Sequence, residues 1–197
     1  AMKLISLSAN KESFQTVRFR DGINIIVGKQ VAPHNENDGN TYNGVGKSLT
    51  LHLIHFCLGS RKIGSFEKVI PDWEFTLKFK IDDKEYYCKR ATDDQNKIDF
   101  SGETLKPKDV QQRLLELCFG LKETPKDMTW TTLFSRFVRR YRSCYSTYDS
   151  FLPKEGEYSK ILNNCYLLGI DKDLIVAKRE LRDKQVAVVD TEKAIKK

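Results

Sequence analysis

The sequence contains no Cys-x-x-Cys pair, and its five cysteines, Cys57, Cys88, Cys118, Cys144 and Cys165, stand 21 to 31 residues apart. An odd, scattered set argues against a disulfide framework and against a zinc site, and for a reducing compartment. Most of these cysteines are expected to serve as small apolar core residues. No apolar run approaches the ~18 residues of a membrane span, and the start lacks the charged-then-apolar leader of a secreted chain. The expectation is a cytoplasmic protein without a membrane segment. Charge is not one-sided either: 34 Lys+Arg face 27 Asp+Glu, a net +7 over 197 residues. That excess permits a nucleic-acid partner without demanding one. With 40% hydrophobic residues the chain is too apolar for intrinsic disorder and long enough to bury a sizeable core.

The hydrophobic pattern changes period along the chain. Leu4 and Leu7, then Phe14, Val17 and Phe19, fall in short β-leaning segments. Asp21-Gly22 marks a turn, and the apolar run Ile23-Asn24-Ile25-Ile26-Val27 predicts a strand buried on both faces. Residues 29–42, polar and rich in Asn, read as a loop. Residues 47–58 predict a helix apolar nearly all round, stopped by Gly59. Alternation at Phe75, Leu77, Phe79 and Ile81, then Tyr86-Tyr87-Cys88, predicts a hairpin turning at Asp82-Asp83, with a short strand at Ile98–Phe100 before Ser101-Gly102.

Helical periodicity then takes over. Pro107 opens a helix with Val110, Leu114, Leu117 and Cys118 on one face, closed by Gly120. Leu133, Phe134, Phe137, Val138 and Tyr141 predict a second amphipathic helix. Tyr158, Ile161, Leu162, Cys165 and Leu168 predict a third, closed by Gly169. Residues 171–197 hold no Gly, Pro or aromatic residue, and Leu174, Leu181, Val188 and Ile195 recur every seven residues. Their companions Ala177, Lys184 and Thr191 are mostly polar, so this is half of a coiled-coil seam or one face of a surface helix.

Asn43-Gly44-Val45-Gly46-Lys47-Ser48 carries the chemistry. Glycines let backbone N–H groups ring a phosphate, and the helix that follows points its positive end at the same anion. In such a P-loop Lys47 reaches the β- and γ-phosphates and the Ser48 hydroxyl ligates Mg²⁺, with Leu49 next in the binding turn. The full pattern also asks for a glycine five residues before Gly46, where this chain has Thr41. Gly28 ending the strand, with an insertion before the phosphate loop, accounts for the departure.

Three ordered blocks, Asp21-Gly22-Ile23-Asn24-Ile25-Ile26-Val27-Gly28, Asn43–Ser48 and Ile54-His55-Phe56-Cys57-Leu58-Gly59, resemble the N-terminal head of the SMC and RecN group of ABC-type ATPases with coiled-coil arms. The polar insertion looks like a bacterial branch of that group associated with defence against foreign DNA. The resemblance covers about residues 2–60. It implies an α/β P-loop NTPase lobe: a mixed sheet around the P-loop helix, added antiparallel strands and a helical part, over 1–169, with a coiled-coil arm beginning at 170. It also implies ATP and Mg²⁺ as cofactors, Lys47 as the catalytic lysine, and Lys11 as a nucleotide contact. DNA is the implied partner. Two heads would pair by sandwiching ATP, with accessory subunits possible.

The same family places a signature loop and a Walker B pair in a second lobe. Phe100-Ser101-Gly102-Glu103 imitates the first but reads better as a hairpin turn. Leu167-Leu168-Gly169-Ile170-Asp171 imitates the second, yet Lys172 stands where the catalytic Glu belongs, and a helix junction is the better reading. The chain is therefore expected to be the N-terminal part of a longer protein, with an incomplete active site. No Q-loop glutamine stands out, since Gln111 and Gln112 fall inside a helix. Arg136, Arg139, Arg140 and Arg142 form the densest basic cluster; the first three would share a helical face and meet phosphate, or else pair with nearby carboxylates. His52 and His55 have metal-binding spacing but no third ligand in view. An ATP-hydrolysing head is the leading expectation. A non-hydrolysing nucleotide-binding or DNA-sensing module acting through its coiled coil is the alternative, and an unrelated P-loop kinase stands third.

Overall fold

The computed structural model describes residues 1–27 and 47–195, with the Lys47 side chain left aside. The chain divides into two compact units, Ala1–Lys122 and Glu123–Lys197.

The first unit is built on an antiparallel six-stranded sheet. Strands β1 (Met2–Ala9), β2 (Val17–Arg18), β3 (Glu74–Ile81), β4 (Lys84–Ala91), β5 (Ile98–Phe100) and β6 (Glu103–Leu105) lie in the order β2-β1-β3-β4-β5-β6. The resemblance implies a mixed sheet; among the described residues every pairing is antiparallel. The expected hairpin forms as read. Leu77 pairs with Cys88 and Phe79 with Tyr86, and Asp82 and Asp83 both adopt positive φ (45° and 65°), the conformation a two-residue turn demands. Ser101 and Gly102 make a second such turn, with φ of 53° and 95°, so Phe100–Glu103 is a hairpin corner.

Period-two burial sets the sheet's inner face. Phe75, Leu77, Phe79 and Ile81 of β3 are buried, while Glu74, Thr76, Lys78 and Lys80 between them are not. Two helices cover that inner face. The first, α1 (Lys47–Cys57), packs on β3 and β4 through Leu53, Ile54, Phe56 and Cys57, all buried. A short turn of helix, α2 (Phe66–Val69), contributes Phe66, whose ring meets Phe56 edge-on at 5.3 Å. Helix α3 (Pro107–Phe119) packs on β5 and buries Val110, Leu114 and Leu115. Leu115 takes the buried position the periodicity gave to Leu117, which is only partly covered. Gly120 ends α3 in the left-handed conformation.

The run Ile23–Val27 corrects the sequence reading. It is neither a strand nor buried: Ile23 is 94% exposed, Ile25 79% and Val27 72%. The turn before it forms, with Gly22 at φ 86° and the Asn24 amide clasped onto the backbone of Arg20 and Gly22. Among the described residues no strand lies beside the run to accept its backbone bonds, and an apolar pattern alone cannot supply that edge.

The second unit is helical. Helix α4 (Trp130–Phe134) opens on a reciprocal Thr129–Thr132 capping box and stacks Trp130 on Phe134 at 4.7 Å. Helix α5 (Glu157–Leu167) packs against α4 and against α6 (Lys172–Ile195). Here the amphipathic reading over 133–141 fails: the helix stops at Phe134, and Phe137 is exposed. The segment Leu167–Asp171 is the junction of α5 and α6, turned by Gly169 at φ 81°. No residue of α6 is buried, so Leu174, Leu181, Val188 and Ile195 line an open stripe.

All five cysteines are free, and Cys57, Cys88 and Cys144 are buried. Burial pushes the Cys57 thiol up to about 12 and that of Cys118 to about 11. A raised thiol value leaves less thiolate at a given pH, on the order of 0.01% for Cys57 at pH 8. Iodoacetamide at pH 8 is therefore expected to spare Cys57 in the native chain and to modify it in urea; rapid native labelling would refute its burial.

Gly59 gives a second test. It lies at φ 84°, and a Cβ there would stand 2.5 Å from the Pro107 carbonyl oxygen. Gly59→Ala is expected to cost about 2–4 kcal/mol, from left-handed strain and overpacking together. The readout is a lower urea midpoint at unchanged slope.

Candidate functional site

Of the phosphate-loop motif, Asn43, Gly44, Val45 and Gly46 lie outside the described residues, as does the 29–42 insertion. The structure places Lys47 as the first residue of α1, followed by the exposed Ser48 and Leu49 and the buried Thr50. That first turn contains no acidic residue. The first N–H groups of an α-helix have no acceptor within the helix, and here no carboxylate of the first turn itself offsets the positive dipole end. Thr50 and the stretch from Leu53 onward are buried, so α1 is anchored chiefly by its later half.

The other end of α1 is tied down by residues to which no motif pointed. The chain leaves the helix through Gly59, whose carbonyl accepts the Gln111 side-chain amide at 2.6 Å. Arg90 of β4, 1% exposed, donates from Nη1 to the carbonyls of Phe56 (2.6 Å) and Ser60 (2.9 Å), and from Nε and Nη2 to that of Gln95 (3.0 and 2.6 Å). Its guanidinium lies 4.3 Å from the Phe56 ring centroid. Gln95 in turn accepts from Ile63 N–H and donates to the carbonyls of Ile63 and Thr92. Desolvation lowers the Arg90 value to about 10, which still leaves it charged at neutral pH. The only sequence signal for this cluster was a charge at a period-two core position of β4.

Lys11 lies in the turn after β1, where its carbonyl accepts from Phe14 N–H at 3.1 Å. Gln111 and Gln112 sit on α3 and spend their amides on backbone carbonyls, Gln112 on those of Leu121 and Lys122. His55 is buried on α1. Among the described residues no three His, Cys, Asp or Glu side chains gather to hold a metal.

The arginine cluster does not form a helical face, because α4 ends before it. Arg136 turns inward and pairs with Glu155 at 2.8 Å, the two side chains 5% and 2% exposed. It also donates to Asn164 at 3.0 Å and to the Thr132 carbonyl. Arg139 donates to the carbonyls of Cys144 (3.0 Å) and Tyr148 (2.7 Å). The structure brings these two guanidinium groups together over the Phe151 ring, at 4.8 and 4.6 Å. Arg140 stacks on Tyr141, and Arg142 is exposed at the start of a 3₁₀ turn, Arg142–Tyr145. Arg136 and Arg139 thus hold the second unit together, leaving Arg142 as the freely exposed member.

No protein-family model matches this chain, and no curated protein sequence does. The functional reading therefore rests on its own residues.

Removing one partner of the buried Arg136–Glu155 pair leaves the other uncompensated. Glu155→Ala is expected to destabilise the second unit by about 3 kcal/mol, measured by urea denaturation followed through Trp130 fluorescence. A change within ~0.5 kcal/mol, the range of ordinary surface substitutions, would show that the pair carries no weight.

Proposed function

We propose that this chain is the nucleotide-binding lobe of an SMC-like ABC-type ATPase, binding ATP with Mg²⁺ at the N-terminus of α1. The observation that carries the reading is the position of Lys47-Ser48. They open a helix whose first turn is free of acid, with Ser48 and Leu49 exposed, and whose body is buried against an antiparallel sheet. Backbone N–H groups of Gly44 to Leu49 would ring the β-phosphate, Lys47 would neutralise the β- and γ-phosphates, and the Ser48 hydroxyl would hold the metal. Bound there, Mg²⁺ would offset phosphate charge as the γ-phosphoryl group leaves. Asn43 and Val45 complete the loop, and Lys11 is the assigned outer contact.

In this reading a second lobe carries the signature loop and the Walker B carboxylates, and hydrolysis needs both lobes. The exposed Ile23–Val27 run suits a surface that another lobe would cover. ATP would pair two heads, and α6 would continue into a coiled-coil arm that carries the motion to DNA, with accessory subunits and a cytoplasmic setting. Of the basic cluster, Arg142 is the member this structure leaves open to a backbone phosphate.

A second reading has one observation in its favour. The stripe Leu174, Leu181, Val188 and Ile195 on α6 is uncovered, which suits an assembly module that binds nucleotide without turning it over. Turnover by the full-length protein, set against its partner binding, separates the two.

The test is calorimetric titration of Mg-ATP into the chain and into Lys47→Ala. Lys47 supplies charge-assisted contacts of about 2–3 kcal/mol, so the variant is expected to bind ~100-fold more weakly. Equal affinity in the two proteins would overturn the assignment.

A further inference from the structure

Ser48 and Leu49 in the first turn of α1 are exposed, Thr50 is buried, and most of the helix's buried residues lie in its later half. Eleven residues separate nothing but one rigid rod from one end to the other, about 16 Å at 1.5 Å per residue. Where the turn sits therefore depends on what fixes the C-terminal end. Apolar packing by Leu53, Ile54, Phe56 and Leu58 fixes the distance of α1 from the sheet. Such packing is non-directional and leaves sliding and rotation less well defined.

Arg90 supplies the directional contacts. It reaches from β4 to the Phe56 carbonyl in the last turn of α1, where the negative end of the helix dipole lies, and to the Ser60 carbonyl three residues past the helix end. Its planar fork binds the Gln95 carbonyl on the other side. The Gln95 side chain then holds Ile63, and Thr92 holds Ile70 and Trp73, so the whole stretch from α1 to β3 is stitched to the end of β4. Among the described residues no carboxylate pairs with Arg90. Tyr86 and Cys88, its neighbours on the same face of β4, show that an uncharged side chain fits such a position. A guanidinium buried against carbonyls alone is costly to desolvate, so its retention points to a geometric role rather than to filling space.

We propose that Arg90 is a positioning residue for the phosphate-binding turn. By tying the Phe56 carbonyl of α1 and the Ser60 carbonyl just beyond it to β4, it helps set the axial position and rotation of the helix, and so of the opposite end where Lys47 and Ser48 stand. The inference rests on the nucleotide-binding reading above. Angstrom-scale misplacement of a binding group can cost up to ~100-fold in function, so the clamp is expected to show in affinity and not only in stability.

The experiment compares Arg90→Met, Arg90→Lys and Leu115→Ala, the last a core truncation on α3 that lowers stability without touching the clamp. Each is titrated with Mg-ATP at a temperature where circular dichroism shows it folded, and amide hydrogen exchange is followed along residues 48–58. Arg90→Met is expected to bind at least ~10-fold more weakly than the parent and to exchange faster along α1. Arg90→Lys, keeping the charge but not the fork, is expected to recover part of the loss, and it carries the test if Arg90→Met does not fold. Leu115→Ala is expected to keep parental affinity. Undiminished affinity in the folded Arg90 variants, or an equal loss in Leu115→Ala, would overturn the proposal. If the parent shows no Lys47-dependent binding, the nucleotide reading fails on its own. Exchange along α1 then decides the clamp, and unchanged protection in the Arg90 variants would refute it.

Discussion

Burial of alternate β3 residues beneath α1 is the constraint on which the first unit depends. Phe75, Leu77 and Phe79 can leave water only if a helix covers that face, and α1 can be apolar along its anchored half only because the sheet is there. The hairpin β3–β4 supplies the width, the turns at Asp82-Asp83 and Ser101-Gly102 extend it, and α3 closes the far side. Everything of chemical interest is then set by which end of α1 is buried. The far end is sealed, while Ser48 and Leu49 near the start are exposed.

Polar groups make the fit specific. Arg90, Thr92 and Gln95 are all but fully buried, and each bonds at least one main-chain group of the connection between α1 and β3. That connection has little regular structure of its own, so its carbonyls need side-chain donors. The second unit uses the same device with different residues. Asn163 holds the carbonyls of Asp127 and Ser159, Thr132 bonds Asn163, and Arg136 joins Thr132 to Glu155. Polar clusters of this kind fix one arrangement among the several that apolar packing would tolerate.

The sequence was legible where a local rule and its tertiary partner lay close together. The alternation of Phe75 to Ile81, the aspartates at the turn, Pro107 opening α3 and Gly120 closing it all concern neighbours a few residues apart. It misled where the partner was distant or absent. Ile23–Val27 has the composition of a core strand, but a strand needs an edge to pair with. Phe137, Val138 and Tyr141 have helical spacing, yet Arg136 turns inward to Glu155 and Arg139 to the carbonyls of Cys144 and Tyr148. At the candidate site, Lys47-Ser48 at a helix start could be read from the motif. Arg90 could not, because a single buried arginine has no spacing rule to announce it.

Pairing of Ala9 with Phe75 has a consequence for how this chain tolerates sequence change. It closes a loop that runs from the end of β1 to the start of β3 and carries the whole phosphate motif. The entropy of closing a loop grows only with the logarithm of its length. Because β2 pairs with β1 and α1 packs on β3, the stretch 29–42 lies in the shorter span between Arg18 and Lys47, where adding a segment of its size costs about 0.6 kcal/mol. The sheet therefore places almost no thermodynamic limit on the length of chain leading into Gly44, and evolution was free to lengthen that approach without unsettling β1, β3 or the helix between them.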